Sequence, residues 1–88
     1  MMYYKCKDFG DIYALTSNGK VLLLEMYAFK INKDSITLKV KVKHPQWEDC
    51  SDMWSMRNIQ HDFAQSFELI TDDTVIDGLP PIPRELQE

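Results

Sequence analysis

Residues 36–43 constrain the fold more than any other stretch of this chain. Ile36, Leu38, Val40 and Val42 alternate without a fault with Thr37, Lys39, Lys41 and Lys43. Successive side chains of a β-strand point to opposite sides of the sheet, so a period of two predicts a strand with one apolar and one polar face. The apolar row is expected to face the core. The lysine row is expected to face water, where it discourages edge-to-edge pairing.

The residues before this ribbon read as further strands. Met2, Tyr4 and Cys6 alternate with Tyr3, Lys5 and Lys7, and a turn over 8–11 follows. Residues 12–16 set Ile12 and Ala14 opposite Tyr13 and Leu15. Asn18-Gly19 then stands between two apolar runs, which is a strong short-range hairpin signal; a type I′ turn with positive φ at both residues is expected. Residues 20–31 read as one long strand, apolar on both faces in its first half and therefore central there, with Glu25 as the odd member. Asn32-Lys33-Asp34-Ser35 is a second turn, joining this strand to the 36–43 ribbon as a hairpin. His44-Pro45 ends the sheet, because proline has no N–H to give to a ladder.

The second half changes character. Residues 46–52 read as a polar connection holding Trp47, with Ser51 or Asp52 placed to cap a helix. Met56, Ile59, Phe63, Phe67 and Ile70 recur at spacings of 3, 4, 4 and 3, a helical stripe that predicts a helix over 53–66. Residues 67–71 also alternate well enough to form a last strand. Asp72-Asp73-Thr74 is turn chemistry, and 75–78 reads as a short extended piece. Leu79-Pro80-Pro81-Ile82-Pro83 fits neither a helix nor an inner strand, and is expected to lie across the domain with Leu79 and Ile82 as anchors. The last residues are expected to fray.

Eighty-eight residues allow one modest core. The expected architecture is α+β: a small antiparallel sheet of four or five strands, built from two hairpins, with one helix in the C-terminal half. A small all-β barrel is the alternative if 53–66 is not helical. Residues 1–79 form the single domain in this reading, and 80–88 a proline-containing C-terminal tail. Met1 to Lys5 lacks the basic lead and long apolar run of a secretory leader. Two cysteines, Cys6 and Cys50, make no disulfide framework and read as reduced thiols, so a cytoplasmic location is expected.

Catalytic and metal chemistry find little support. His44, Cys50 and His61 lack the paired ligands, two to four residues apart, of structural zinc sites. The run from Asp72 to Gly78 puts Val75 and Ile76 where a calcium loop needs oxygen ligands. Cys6 falls in an apolar alternation, and Cys50 lies among Glu48, Asp49 and Asp52, which blunt a thiolate. The three glycines, at 10, 19 and 78, are isolated and make no phosphate loop. No enzyme activity, metal or cofactor is expected.

Binding surfaces are easier to find. Residues 1–44 carry eight Lys against four acids, and residues 45–88 carry two Arg against ten acids. Trp47, Met53, Trp54, Met56 and Arg57 concentrate interface-rich residue types at the junction of sheet and helix, with Asp49 and Asp52 as acidic neighbours. They point to a non-enzymatic protein-binding module, such as a small acidic accessory or inhibitor protein whose Asp49, Asp52 and Asp62 take the place of phosphates in a basic channel. Two alternatives stand beside it. Lys39, Lys41 and Lys43 form a stripe that can track a nucleic-acid backbone. An exposed sheet edge can make the chain a subunit of a larger assembly or a homo-oligomer. No membrane partner is expected, since the longest apolar run stops at Glu25.

Overall fold

The computed structural model describes residues 1–87. Seven strands follow in order: β1 (Met2–Cys6), β2 (Ile12–Leu15), β3 (Val21–Leu24), β4 (Tyr27–Ile31), β5 (Thr37–Lys41), β6 (Trp47–Asp49) and β7 (Phe67–Leu69). Five of them make an antiparallel sheet in the order β6-β3-β2-β1-β7, while β4 and β5 form a separate two-stranded sheet. Short helices α1 (Asp73–Asp77) and α2 (Arg84–Gln87) follow. The protein is α+β, and the large sheet stays open, ending at β6 and β7.

Alternation along the central strands produces two cores. Tyr13 and Leu15 of β2, Val21 and Leu23 of β3, and Tyr4 and Cys6 of β1 share one face, covered by Cys50, Trp54, Met56 and Ile59. Ile12 and Ala14, Leu22 and Leu24, and Tyr3 share the other with Trp47. Met26, Ile70, Leu79, Ile82 and Leu86 pack against that second face. All of β2 is buried, and so is β3 except Leu23. Each fully buried aliphatic side chain contributes about 1.5–3 kcal/mol. The segments after β5 thus act as two lids, one on each side of a thin sheet.

Both hairpin turns are built alike. Thr16 N–H donates to Lys20 O at 3.0 Å and Gly19 N–H to Thr16 O at 3.1 Å. Asn32 N–H donates to Ile36 O at 3.0 Å and Ser35 N–H to Asn32 O at 3.0 Å. Each turn closes a three-residue loop whose last residue is left-handed, Gly19 at φ 86° and Ser35 at φ 61°. This corrects the expected type I′ turn: Asn18 keeps a negative φ, as three-residue loops with one left-handed position require.

Several expectations give way to tertiary demands. The 20–31 strand breaks at Glu25-Met26. Met26 N–H donates to the Asp11 carboxylate at 2.9 Å, which ends the ladder with β2 and sends β4 off the main sheet. Within the 36–43 ribbon, residues 37–41 form a strand of that outlying hairpin, and the apolar row does not face the core. Ile36 is 55% exposed, Leu38 45% and Val40 38%. Residues 46–52 include β6, because β3 has an open edge: Leu22, Leu23 and Leu24 pair with Asp49, Glu48 and Trp47.

The helix expected over 53–66 is reduced to short helical turns within 56–66. Ser55 Oγ accepts from Asn58 N–H at 3.1 Å while the Asn58 side chain accepts from Ser55 N–H at 2.9 Å. This reciprocal cap starts the helix at Met56, not after Ser51 or Asp52. A π-helical turn, Asn58–Asp62, and a 3₁₀ turn, Ala64–Ser66, follow. The chain then straightens because β1 has an unpaired edge, and Tyr4, Lys5 and Cys6 pair with Leu69, Glu68 and Phe67. Residues 75–78 are not extended. Asp72 accepts from Thr74 N–H and caps α1. Residues 84–87 form α2 rather than fraying; Glu88 lies outside the described residues.

Candidate functional site

The junction from Trp47 to Arg57 does not present one surface. Trp47 is 6% exposed; its ring lies tilted 6.2 Å from Tyr3 and its Nε1–H donates to Pro80 O at 2.8 Å. Trp54 sits on the opposite face of the sheet, half-buried among Tyr13, Phe63 and Phe67 at 5.5–6.1 Å. The sheet therefore separates the two indoles that the sequence places seven residues apart. Asp49, Asp52, Met53 and Arg57 are exposed.

Asp49 and Asp62 are occupied locally. Asp49 accepts from Ser51 N–H at 2.9 Å, and hydrogen bonds from Ser51 hold its carboxyl below the usual range. Asp62 accepts from Asn58 at 3.0 Å and lies 3.7 Å from Arg57. Asp72 is likewise held low by Thr74. Burial, with Asp49 and Asp52 adding to it, pushes the Cys50 thiol up to about 11. Its Sγ donates to Val21 O at 3.4 Å, so it remains a protonated core thiol. Among the described residues, no three His, Cys, Asp or Glu side chains converge on a point that could hold a metal.

The unusual surface lies on the β4–β5 hairpin. Its register pairs Tyr27 with Lys41, Ala28 with Val40, Phe29 with Lys39, Lys30 with Leu38 and Ile31 with Thr37. Directly opposed residues share a face. One face therefore carries Tyr27, Phe29, Ile31, Thr37, Lys39 and Lys41; the other carries Ala28, Lys30, Leu38 and Val40, with Ile36 and Val42 at its ends. Phe29 is 50% exposed and Ile31 75%, so both faces offer apolar side chains to water. Of the expected lysine stripe, Lys39 and Lys41 lie on β5 opposite Phe29 and Tyr27, and Lys43 falls beyond the strand. Lys39 Nζ lies 4.2 Å from the centre of the Tyr27 ring, a cation–π contact.

The first of these faces continues into a groove of about 540 Å³ at the hairpin's base. Lys5, Lys7, Tyr27 and Lys39 line it, together with Glu68 and Asp72. Gly10 forms part of the wall at φ 80°; a Cβ there would lie 2.9 Å from Tyr27 Cε2. Phe9 packs edge-on against Phe29 at 5.8 Å, tying the 8–11 turn to the arm. Sequence reasoning missed this surface because it assigned the alternating apolar row to the core. The signal was Glu25, a charged residue on the face of a strand taken as buried.

Comparison of the chain with family models, with curated proteins and with solved structures finds no match.

Proposed function

We propose that the protein is a non-enzymatic protein-binding module whose docking element is the β4–β5 hairpin. One observation carries the reading: a two-stranded sheet stands off the main sheet with apolar side chains exposed on both faces. Isolated two-stranded hairpins are marginal in water, and contiguous exposed apolar surface marks interaction sites. Trp47 and Trp54 are used inside the molecule, so the binding role passes from their junction to the arm. Burial and protonation of Cys50 leave it no nucleophilic role, which supports a binding role over a catalytic one. Cys6 and Cys50 are both free and buried, in keeping with a reducing, cytoplasmic setting. Among the described residues, no helix is long and apolar enough to cross a membrane.

The test is affinity recovery of partners from the source cells with the intact protein as bait, beside an Ile31→Asp/Leu38→Asp double variant. Both positions are exposed, so the variant is expected to keep its fold by circular dichroism. A recovered protein that rebinds the intact chain when purified, and loses at least about tenfold in affinity for the variant, supports the arm. Equal affinity for the two baits rules it out.

A further inference from the structure

We infer that the free edge of β5 accepts an added antiparallel strand from a protein partner, and that this strand alternates carboxylate with apolar side chains. The inference rests on the docking-arm reading and names the chemistry of its partner.

In an antiparallel ladder, alternate residues turn both backbone groups towards the same neighbour. Asn32 N–H donates to Ile36 O at one end of the hairpin, and Val42 N–H donates to Met26 O at the other. With Lys30↔Leu38 and Ala28↔Val40 between them, residues 36, 38, 40 and 42 address β4. Thr37, Lys39 and Lys41 therefore turn N–H and C=O outward. Among the described residues, no strand covers that edge, since β5 pairs with β4 alone. All five β5 residues are exposed, their register is continuous, and none is proline.

An incoming strand would form its hydrogen-bonded pairs opposite Thr37, Lys39 and Lys41. Its residues at those places would lie beside the ammonium groups, and the intervening ones beside Leu38 and Val40. Carboxylates suit the first set and apolar side chains the second. A second copy of β5 fails at the first set, because antiparallel self-pairing brings lysine against lysine even where Leu38 meets Val40. The lysines thus reject the wrong strand while admitting an acidic one. A nucleic acid fits less well. Its phosphates have no donors for the outward carbonyls, and the adjoining groove also contains Glu68 and Asp72.

The probe is a short fluorescent peptide alternating valine with glutamate, followed by anisotropy. Saturable binding is expected, weakened about tenfold in Lys39→Glu/Lys41→Glu. That variant should instead bind a valine–lysine peptide. N-methylation of the glutamates, whose N–H groups face β5, should abolish binding; N-methylation of the valines, whose N–H groups face away, should leave it within about threefold. Equal effects of the two methylated series, or tighter binding of a single-stranded oligonucleotide than of the peptide, would overturn strand addition. So would absence of saturation by ~1 mM peptide. If hairpin-dependent partner recovery persists alongside any of these results, strand addition fails and the docking arm stands.

Discussion

Cys50 follows β6 directly, and its burial changes the thiol's chemistry. Its titration is raised from 9.0 to about 11, first by desolvation and then by Asp49 and Asp52. The folded state therefore disfavours the thiolate, while the unfolded chain ionises near 9. Stability from this group is complete below pH 9 and is lost as pH rises from about 9 to 11. Tyr13, raised from 10.0 to about 12 chiefly by burial, extends the loss to higher pH. Urea midpoints measured between pH 7 and 11 should fall across this window, and Cys50→Ala should flatten the part between 9 and 11. At pH 8, iodoacetamide should alkylate Cys50 roughly 10- to 100-fold more slowly than an unfolded cysteine; equal rates would show that the thiol is not buried.

At the scale of elements, the two hairpins make an informative pair. They share a turn design but differ in what surrounds them. The β2–β3 hairpin is covered on both faces, whereas β4–β5 rests mainly on its own ladder, the Phe9–Phe29 contact and the base of the groove. Backbone amides of Leu38 and Val40 should therefore exchange hydrogen at least about 100-fold faster than those of Leu22 and Leu24. The Ser35 turn adds its own cost, because a left-handed φ is unfavourable for a residue with a Cβ. Ser35→Gly should stabilise the hairpin by about 0.5–1 kcal/mol, seen as slower exchange at Leu38 and Val40 with Leu22 unchanged. The strand within 36–43 was legible because alternation reports backbone geometry. Its exposure was not, because alternation does not say which face a neighbour covers.

For the whole molecule, the decisive feature is a sheet that needs covering on both sides. The radius of gyration is 13.8 Å, against about 12 Å for a compact chain of this length, which fits an arm held away from the body. The C-terminal segment closes the face formed by Ile12, Ala14, Leu22 and Leu24, with Leu79, Ile82 and Leu86 packed there. Trp47 secures it through Pro80 O. Deleting residues 80–88 should cost about 2–4 kcal/mol, from the lost burial of Ile82 and Leu86 and the unpaired indole. The check is the urea midpoint together with a red shift of tryptophan emission. A deletion that left both unchanged would show that the segment is not part of the core.

Local physics written into the residues was enough to determine the strands β1, β2, β3 and β5, the two turn positions and the anchoring role of Leu79 and Ile82. Period-two alternation, Asn-Gly chemistry and proline's missing donor act within a few residues and need no partner. The tertiary structure alone decided that residues 20–31 break at Glu25, that Trp47 and Trp54 part to opposite faces, and that the helical stripe yields at Phe67. Those outcomes follow from open ladder edges on β3 and β1 and from a single carboxylate, Asp11, reaching Met26. Such demands come from residues distant in sequence, and local periodicity carries no record of them.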